Sequence, residues 1–559
     1  MRKIFSIIAA GLFIATGLKA QSQDSLLTRQ LELERDFNPT LLESNKINSL
    51  PTLRQPVVQK ANTNYSTWNV NAIPPLEIAI PRPGGAMTEI PYSKEKGYLY
   101  FTGGNYANLD GAFGYRIIDN ESNRLSVGFF HNSTNGNVNY VQNEFEDKTK
   151  VKFMDNKGLI NYGHQFNNFV LDTKASYLHC GYNYYGNTMG SPKQLDDKTQ
   201  QVGIFNLNLA VESEKNDNFE YRGFVDFKNF STKYGEDVYS DGLKGSQLEA
   251  VVGLNKPFVN FGNEIGIDGR ILSTFYNSDL KNYLLVEGAP YVVFKGLDWN
   301  ARLGVDVLFH IVGKTQIRIA PNIQFRYKPF YLNVRGGYDN NTFPDMFEES
   351  RYIHPTTIVK PSFSIVDLEA GVQITNLSAF RFDIFGGYKH TEDEHFLVLN
   401  THKNAEDEFA GIETREFLSP KYADLSHSHI GARIQSTIWS PLNVALSLKK
   451  NFYNIKDTDD AKAWNKPGFE ADIRVDLSII DNLKFTLNYY MATDRWSLFD
   501  GNNVKMDNIN DLNAGAIYQI SDAFSVNVKA NNLLFQKYDI WYGHPAQGLN
   551  IIGGFSFKF

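Results

Sequence analysis

The chain has 559 residues, a formal net charge of −7 and a single cysteine, Cys180. One cysteine excludes an intramolecular disulfide, and an acidic balance without lysine- or arginine-rich blocks argues against nucleic acid as a partner. Aromatic residues make up 14% of the chain although its mean hydropathy is only −0.35. After residue 20, no apolar run reaches the about 18 residues that predict a spanning helix.

The first twenty residues have the order of a secretory signal peptide. Arg2 and Lys3 precede a mostly apolar run over 4–18, and Ala20 stands before a polar stretch. This pattern predicts cleavage after Ala20 and export of the mature chain. The alternative, a membrane anchor, is disfavoured because the apolar run falls short of the roughly 20 residues that a spanning helix needs.

Residues 21–96 form a segment rich in chain-breaking residues. From residue 51 onward its prolines and paired glycines are Pro51, Pro56, Pro74, Pro75, Pro81, Pro83, Gly84, Gly85 and Pro91. This density predicts an extended periplasmic or lumenal segment rather than a packed domain. The stretch 24–46 is the one part of it in which we expect a short helix.

From residue 97 to the end, apolar and polar residues alternate. In the run 316–327, Ile317 and Ile319 fall on one face, and Arg318 and Arg326 fall on the other. A period of two predicts strands with an apolar and a polar face. In an exported, disulfide-free chain with a polar mean hydropathy, such strands are typical of a transmembrane β-barrel. Lipid offers no hydrogen bonds, so such a sheet must close on itself, with its polar face lining the lumen.

Short links alternate with long polar links along this region. The short links are 521–522, 481–482, 440–441, 376–378, 328–329 and 295–296, and the long ones are 340–362, 392–426, 451–466 and 497–506. Outer-membrane barrels have short periplasmic turns and longer outer loops. A soluble all-β sandwich, the alternative, does not explain this alternation. The sequence predicts an all-β, antiparallel barrel of about 22 strands over 97–559, with both termini in the periplasm.

Two positions complicate the strand pattern. The stretch 97–118 is interpreted as two strands with a turn near Tyr106, because an even strand count returns both termini to the same side. Pro321 interrupts an otherwise regular strand, and since proline lacks a ladder donor it is expected to mark a bulge.

The last strand has a regular aromatic pattern. Phe555, Phe557 and Phe559 alternate with Ser556 and Lys558, so the aromatic residues are expected to face lipid and the polar ones the lumen. A final aromatic residue on such a strand resembles the C-terminal signal of outer-membrane barrels. The resemblance implies that the barrel-assembly machinery is a partner and that these three aromatic residues form its signal.

The segment 531–559 also resembles the ending of TonB-dependent receptors. The matching positions are Asn532, Leu533, Phe535, Tyr538, the loop 543–548 and the last strand 554–559, whereas Leu534 is an insertion and Leu549 replaces an expected arginine. The resemblance implies a 22-strand receptor-like barrel in a Gram-negative outer membrane. Such receptors carry an N-terminal plug domain and a TonB box. Here only 21–96 precede the barrel and no TonB box is evident, so the resemblance is to plugless barrels of the Bacteroidota type.

A dense group of potential metal ligands lies at His390, Glu392, Asp393, Glu394 and His395. Histidine and carboxylate side chains bind divalent cations. The other interpretation, a solvated loop end, is favoured, so no metal or cofactor site is predicted.

The run 425–431 places Ser426 and Ser428 beside His427 and His429. A serine nucleophile needs a base within hydrogen-bond reach, but a strand would direct these serines and histidines to opposite faces. Cys180 lies in an alternating strand and is expected to face lipid or core. No catalytic residue is predicted, and the chain is not expected to be an enzyme.

The polar face carries four basic residues that are expected to line the pore: Arg318, Arg326, Arg335 and Lys529. A basic lining favours anionic solutes. The alternative is that each pairs with a carboxylate across the lumen, and this is favoured because the chain has 62 acidic and 55 basic residues.

Two functions remain open. The first is a transport barrel that passes a solute across the outer membrane, closed by its own N-terminal segment or by a partner such as a surface lipoprotein. The second is a non-transporting structural barrel within an outer-membrane or envelope-assembly complex. A barrel of 22 strands is wide enough to need an occupant. In both cases outer-membrane lipid surrounds it.

Overall fold

A computed structural model describes residues 95–559, apart from 142–147, 186–198, 215–218, 236–240, 259–261, 278–279, 313, 356, 358, 378, 404–413, 440, 457–460 and 500. The predicted signal peptide and the proline-rich segment up to residue 94 therefore lie outside the described residues. Across the part of the chain that the structure describes, no helix is both long and apolar enough to cross a membrane.

The described chain is almost entirely β-structure. In chain order the first half contains β1 (Gly97–Gly104), β2 (Leu109–Asp119), β3 (Asn123–Asn139), β4 (Lys148–Gln165), β5 (Phe169–Tyr182), β6 (Gln200–Ser213), β7 (Glu220–Thr232), β8 (Lys244–Phe258), β9 (Asn263–Tyr276), β10 (Leu284–Lys295), β11 (Trp299–Val312), β12 (Lys314–Tyr327) and β13 (Phe330–Asp339). The second half contains helix α1 (Phe343–Glu349), β14 (Ser362–Leu377), β15 (Phe380–Lys403), β16 (Thr414–Trp439), β17 (Leu442–Ile455), β18 (Phe469–Ile480), β19 (Leu483–Thr493), β20 (Arg495–Phe499), β21 (Asn502–Met506), β22 (Ile509–Gln519), β23 (Phe524–Asn531), β24 (Asp539–Trp541), β25 (His544–Pro545) and β26 (Asn550–Lys558).

The strands close into one antiparallel ring. β1 to β19 pair in chain order, β19 pairs with β22, β22 with β23 and β23 with β26, and β26 returns to β1. The sheet holds 24 strands, of which β20 and β21 pair with each other as a hairpin outside the ring. The ring therefore has the 22 strands that the alternation and link pattern predict. Every ring strand has two neighbours, so no edge is left unpaired.

The two ends of the barrel differ in their links. Gly97 and Phe559 exchange backbone hydrogen bonds of 2.7 and 3.0 Å, so the barrel starts and finishes at one end, here called the terminal end. Links at the terminal end are short, such as 328–329 and 481–482. Most links at the opposite end, here called the loop end, are longer, as with 340–361 and 532–549. Two loop-end links are short, 105–108 between β1 and β2 and the single residue between β11 and β12. The predicted alternation of link lengths is confirmed.

The outward face is apolar. Ile317 and Ile319 are 63% and 67% exposed, and the alternating positions between them are directed inward. Phe557 and Phe559 are also exposed on the outer face of β26, as their spacing predicts. Large exposed aliphatic and aromatic side chains on every second position are what a lipid-facing barrel wall requires.

Two predicted loops are strands. β15 and β16 continue as a hairpin through most of 392–426, with pairing from Glu394 opposite Ala423 to Lys403 opposite Thr414. Residues 497–506 lie in the hairpin of β20 and β21. Both predictions of loops were wrong. These strands extend beyond the ring at the loop end and have no lipid-facing side, so the alternation of apolar and polar residues fades there.

The two difficult positions have clear outcomes. The stretch 97–118 forms two strands joined by a short 3-10 turn at 105–107, where Tyr106 adopts a φ of 58°, so that prediction is confirmed. Pro321 pairs with β11 in regular register, and the β12–β13 ladder begins one residue later, at Asn322. The bulge lies beside Pro321 on the partner strand β13, between Arg335, which pairs with Asn322, and Gly337.

Candidate functional site: a cap across the loop end

The link 340–361 between β13 and β14, here called the cap, contains the short helix α1. Thr342 begins the helix: its hydroxyl accepts a hydrogen bond from the Asp345 amide, and the Asp345 carboxylate accepts one from the Thr342 amide at 3.1 Å. This reciprocal pair satisfies amides that have no intrahelical partner. The helix buries Phe343, Met346 and Phe347, although the link was predicted only as a long polar connection.

The cap reaches the wall opposite to its own strands. The Arg351 guanidinium donates two hydrogen bonds, at 3.1 and 2.9 Å, to the Asp155 carboxylate on β4. β4 lies close to half the ring away from β14. The guanidinium also lies 4.4 Å from the centre of the Phe153 ring. Burial disfavours the charged form of Arg351, but Asp155 offsets this and holds the pKa of the guanidinium above its usual range. The cap therefore crosses the lumen.

The cap is also joined to the long β15–β16 hairpin. Tyr352 accepts a backbone hydrogen bond of 3.0 Å from Leu418 of β16, and the His354 amide donates one of 2.8 Å back to Leu418. The residue between them, Ile353, forms a parallel bridge with Leu418. In α1, Glu349 lies 2.8 Å from the Nε2 atom of His395 on β15. The hairpin that was predicted as a loop is thus a support for the cap.

The first residues of the cap are held by the near wall. The Asn340 side-chain oxygen accepts a hydrogen bond of 2.9 Å from Arg270 of β9, and its backbone carbonyl accepts one of 2.6 Å from the Tyr283 hydroxyl. Asn341 donates to Ser362 Oγ at 2.6 Å where β14 begins. Both ends and the middle of the cap are therefore attached to the barrel wall.

An apolar core fills the space between the cap and the wall. Besides the cap residues Phe343, Met346, Phe347, Tyr352, Ile353 and Val359, it contains Val138, Val151, Phe153, Cys180, Tyr182, Tyr185, Val202, Phe230, Leu243, Tyr276, Leu397, Leu399, Leu418 and Trp541. The wall residues come mainly from strands β3–β7 and β9 and from the β15–β16 hairpin, and they pack with the cap as in the interior of a soluble domain. Cys180 is 4% exposed within this core, which confirms a core-facing cysteine.

The link 532–549 adds a second layer beside the cap. Its short strands β24 and β25 place His544 between Tyr185 and Tyr352, with ring centres 5.2 and 5.0 Å apart. Burial lowers the pKa of His544 to about 4 and raises the pKa of Asp539, on the same link, to about 7. Arg495 of β20 donates to the backbone carbonyl of Asp539 at 2.8 Å. At neutral pH His544 is therefore an uncharged part of the aromatic core.

The four basic residues predicted to line the pore are not brought together. Arg318 lies on the inward face of β12, where its guanidinium is 2.6 Å from Glu392. Arg326 is exposed nearer the terminal end of the same strand, and Arg335 is on β13. Lys529, on β23, is 6% exposed. That these residues set the selectivity of a pore stays a prediction.

Sequence reasoning missed the most strongly paired inward arginines. Asp268 of β9 accepts hydrogen bonds from Arg302 at 2.8 Å and from Arg222 at 2.9 Å. Arg433 of β16 donates to Asp383 at 2.9 Å. Such pairs exclude a simple basic lining along these strands. The alternation of apolar and polar residues identifies which arginines face inward. It does not give the strand register, which decides the carboxylate that each arginine contacts.

The stretch 390–395, predicted as a solvated loop end, is part of β15, and its exposure is uneven: the Asp393 side chain is 52% exposed. Glu394 is buried on β15 and receives a hydrogen bond of 2.8 Å from Lys466, while Asp393 receives one of 2.6 Å from Lys360 of the cap. These side chains diverge toward different partners because the β15–β16 register shifts between Thr391 and Glu394. Among the described residues, no group of three or more histidine, cysteine or acidic side chains is arranged to hold a metal ion.

Ser426 contacts a histidine of the neighbouring strand. His390 Nδ1 of β15 lies 3.0 Å from Ser426 Oγ, whereas His427 is 2.9 Å from Asn451 on β17. The Ser426 side chain shares its face with Tyr388, which is 41% exposed. The predicted separation of serines and histidines along β16 therefore holds, and the serine–histidine contact lies on the outer face of the barrel, away from the cap.

A closed antiparallel ring of 22 strands, with short links at one end and long links at the other, is an outer-membrane β-barrel. No sequence family and no curated protein matches the chain. Solved structures match its fold. The siderophore receptor PirA from Acinetobacter baumannii superposes with a TM-score of 0.63 at 11% identity, covering 83% of this chain and 80% of the receptor.

Two further structures give similar values. The ferripyoverdine receptor of the outer membrane of Pseudomonas aeruginosa has a TM-score of 0.59 at 11% identity, with 83% of this chain and 72% of that one covered. The copper transporter OprC has a TM-score of 0.59 at 10% identity, with 83% and 80% covered. These are TonB-dependent outer-membrane receptors. The chain has their barrel fold, as its last thirty residues predict, and identity this low establishes the fold alone.

Proposed function

We propose that the chain is an outer-membrane transport barrel whose loop end is closed by its own cap. The observation that carries the proposal is the bidentate bond between Arg351 and Asp155, because it joins the cap to the opposite wall. The cap is held by ion pairs, hydrogen bonds and apolar contacts, among them the Arg351–Asp155 pair and the backbone bonds to Leu418, and these contacts can be broken without unpairing the ladders of the ring. The transport of solutes by proteins with this barrel supports the same conclusion.

The closing element in this proposal differs from the two expected from the sequence. The N-terminal segment 21–94 lies outside the described residues, and a partner protein remains a separate hypothesis. The cap supplies a closure at the loop end that needs neither. In this proposal a solute enters from the loop end when the cap moves, and a partner or the N-terminal segment controls the terminal end.

A chemical crosslink across the cap tests the proposal. Arg351→Cys with Asp155→Cys, in a Cys180→Ser background, places two thiols at the positions of the bridging ion pair. A bis-maleimide joins them, because an arginine–carboxylate contact holds the two Cα atoms farther apart than the about 7 Å that a disulfide spans. We expect the purified mature protein to conduct in a planar bilayer before this crosslink is made and to be silent after it. The matched control carries Arg116→Cys and Asp119→Cys, at an ion pair of 2.6 Å at the terminal end, and should be insensitive to the same reagent.

The second candidate is a structural barrel that holds other envelope proteins. The apolar core beneath the cap favours it, because a seal of this size resembles a permanent domain interior. A version lacking residues 21–95 distinguishes the two. If the double-cysteine protein is silent before crosslinking, both with and without residues 21–95, the transport proposal fails and the structural function is preferred.

A further inference from the structure

Three lysines form an outward row on β4, next to the lipid-facing wall. Lys148, Lys150 and Lys152 are exposed, whereas Thr149 and Val151 between them are 4% and 1% exposed. The alternation shows that all three side chains leave the barrel on its outer face. They lie at the loop end of the strand, where β4 begins.

The row continues directly from the apolar outer face. The outward positions that follow along β4 include Met154, 41% exposed, and Ile160, 53% exposed. The stretch 157–166 has the about 9–11 residues that a tilted strand needs to cross the hydrocarbon core. Asn156 marks its upper limit, because its side-chain oxygen is 2.8 Å from His131 Nδ1 on β3. The lysines therefore lie at the level of lipid headgroups and just beyond.

The neighbouring strand adds uncharged hydrogen-bonding groups at the same level. Asn135, Asn137 and Asn139 of β3 are exposed and pair in register with Lys152, Lys150 and Lys148, respectively. β3 contains no aspartate or glutamate. The one carboxylate of β4, Asp155, is directed inward to Arg351. The outward surface of these two strands is thus basic and amide-rich.

The row differs from the basic residues inside the barrel. Inward arginines such as Arg302 and Arg433 each lie within hydrogen-bond distance of a carboxylate. Within the described residues, the three lysines of the outward row form no ion pair. Ammonium groups bind phosphate oxygens through strong charge-assisted hydrogen bonds, and amide groups add neutral donors.

We propose that the outer face of β3 and β4 at the loop end binds the phosphorylated headgroup of a membrane lipid through Lys148, Lys150 and Lys152. The acyl chains of this lipid lie against the apolar surface that contains Ile160. The headgroup phosphates lie between the lysine row and the three asparagines. The site depends on the barrel's position in a membrane and is independent of whether the cap opens.

Lipid binding to the full chain in detergent tests the proposal by native mass spectrometry. The probes are diphosphoryl lipid A and monophosphoryl lipid A, which share acyl chains and differ by one phosphate. Each lysine near an anionic surface strengthens binding about fivefold. We expect the triple change K148Q, K150Q and K152Q to weaken diphosphoryl lipid A binding by about a hundredfold, and to reduce the preference for the diphosphoryl form.

The matched control changes three exposed lysines that lie at the loop end but off the barrel wall: Lys281, Lys462 and Lys505. K281Q, K462Q and K505Q should leave lipid binding within about twofold of the unmodified chain. Equal losses in the two triple variants would overturn the proposal, since binding would then follow net charge. Equal binding of both lipids, or full displacement of lipid by inorganic phosphate at the same phosphate concentration, would also overturn it.

Discussion

Replacing Arg351 with alanine removes the bond that joins the cap to the far wall. The guanidinium and the Asp155 carboxylate are 10% and 22% exposed, and two hydrogen bonds of 3.1 and 2.9 Å connect them. Removing one partner of a buried pair costs about 3–5 kcal/mol, because the other charge stays buried without compensation. Partial exposure of Asp155 places the expected cost near the lower limit, about 3 kcal/mol, which is a factor of about 150 in an equilibrium.

If the proposed function is correct, the loss of this ion pair mainly destabilises the closed state. The ring retains all its ladders in Arg351→Ala, whereas the cap loses its contact with β4. We expect the ratio of open to closed channels to rise by about two orders of magnitude, measured as open probability in planar-bilayer recordings. Arg116→Ala, which removes the terminal-end pair with Asp119, is the matched control and should leave open probability unchanged.

A thermal melt of the same variants completes the test. If Arg351→Ala lowers the unfolding temperature but the channel stays silent, the ion pair stabilises the cap without gating a pore, and the reasoning is refuted. Asp155→Asn provides a milder change of the other partner, since the amide keeps one acceptor oxygen. Its open probability should lie between those of Arg351→Ala and the unmodified chain.

Three other predictions follow from the structure. Deleting Phe559 should impair assembly, because its backbone bonds to Gly97 close the ring; a normal fraction of heat-resistant folded barrel on a gel would contradict this. Gly554→Val should lower the same folded fraction, since a Cβ atom there would lie 1.9 Å from the backbone carbonyl oxygen of Phe101 on the paired strand β1, whereas Gly158→Val, at a site with no atom within 4 Å, should not. Burial raises the pKa of Asp539 to about 7 and lowers the pKa of His544 to about 4. The stability that Asp539 contributes is therefore complete below about pH 4 and is lost as the pH rises through 7. The stability that His544 contributes is complete above about pH 6.5 and is lost as the pH falls through 4. The difference in melting temperature between Asp539→Asn and the unmodified chain should therefore rise as the pH goes from 4 to 7. The same difference for His544→Gln should fall over that range. Differences that do not change with pH would contradict the assignment of these two pKa values.

Sequence patterns were sufficient for the barrel wall and insufficient for what lies inside it. The alternation around Ile317 and Ile319 identifies a lipid-facing strand because lipid imposes one rule on every second residue. Above the membrane that rule no longer applies, so the extensions of β15 and β16 were mistaken for a loop. The last strand, ending in Phe559, was placed correctly from its three alternating aromatic residues.

The cap was missed for a different reason. Phe343, Phe347 and Tyr352 are apolar signals within the link 340–361, but a helix of seven residues gives too short a periodic pattern for recognition. The position of the cap depends on the contact between Arg351 and Asp155. These residues are 196 positions apart in the sequence, so no local pattern predicts that they meet. The pairing of inward charges was expected in general, yet the particular partners depend on register and on which strands face each other.

The pairing of β1 with β26 has a consequence for how the protein is made. Tyr98 lies opposite Lys558 and Gly104 opposite Ile552. The first strand of the ring therefore lacks this pairing partner until the last strand has been synthesised. Until then the sheet has two open edges, each a row of unpaired backbone groups on which a second chain can add. A nascent barrel of this kind therefore remains open to aggregation at both edges until its last strand pairs with its first.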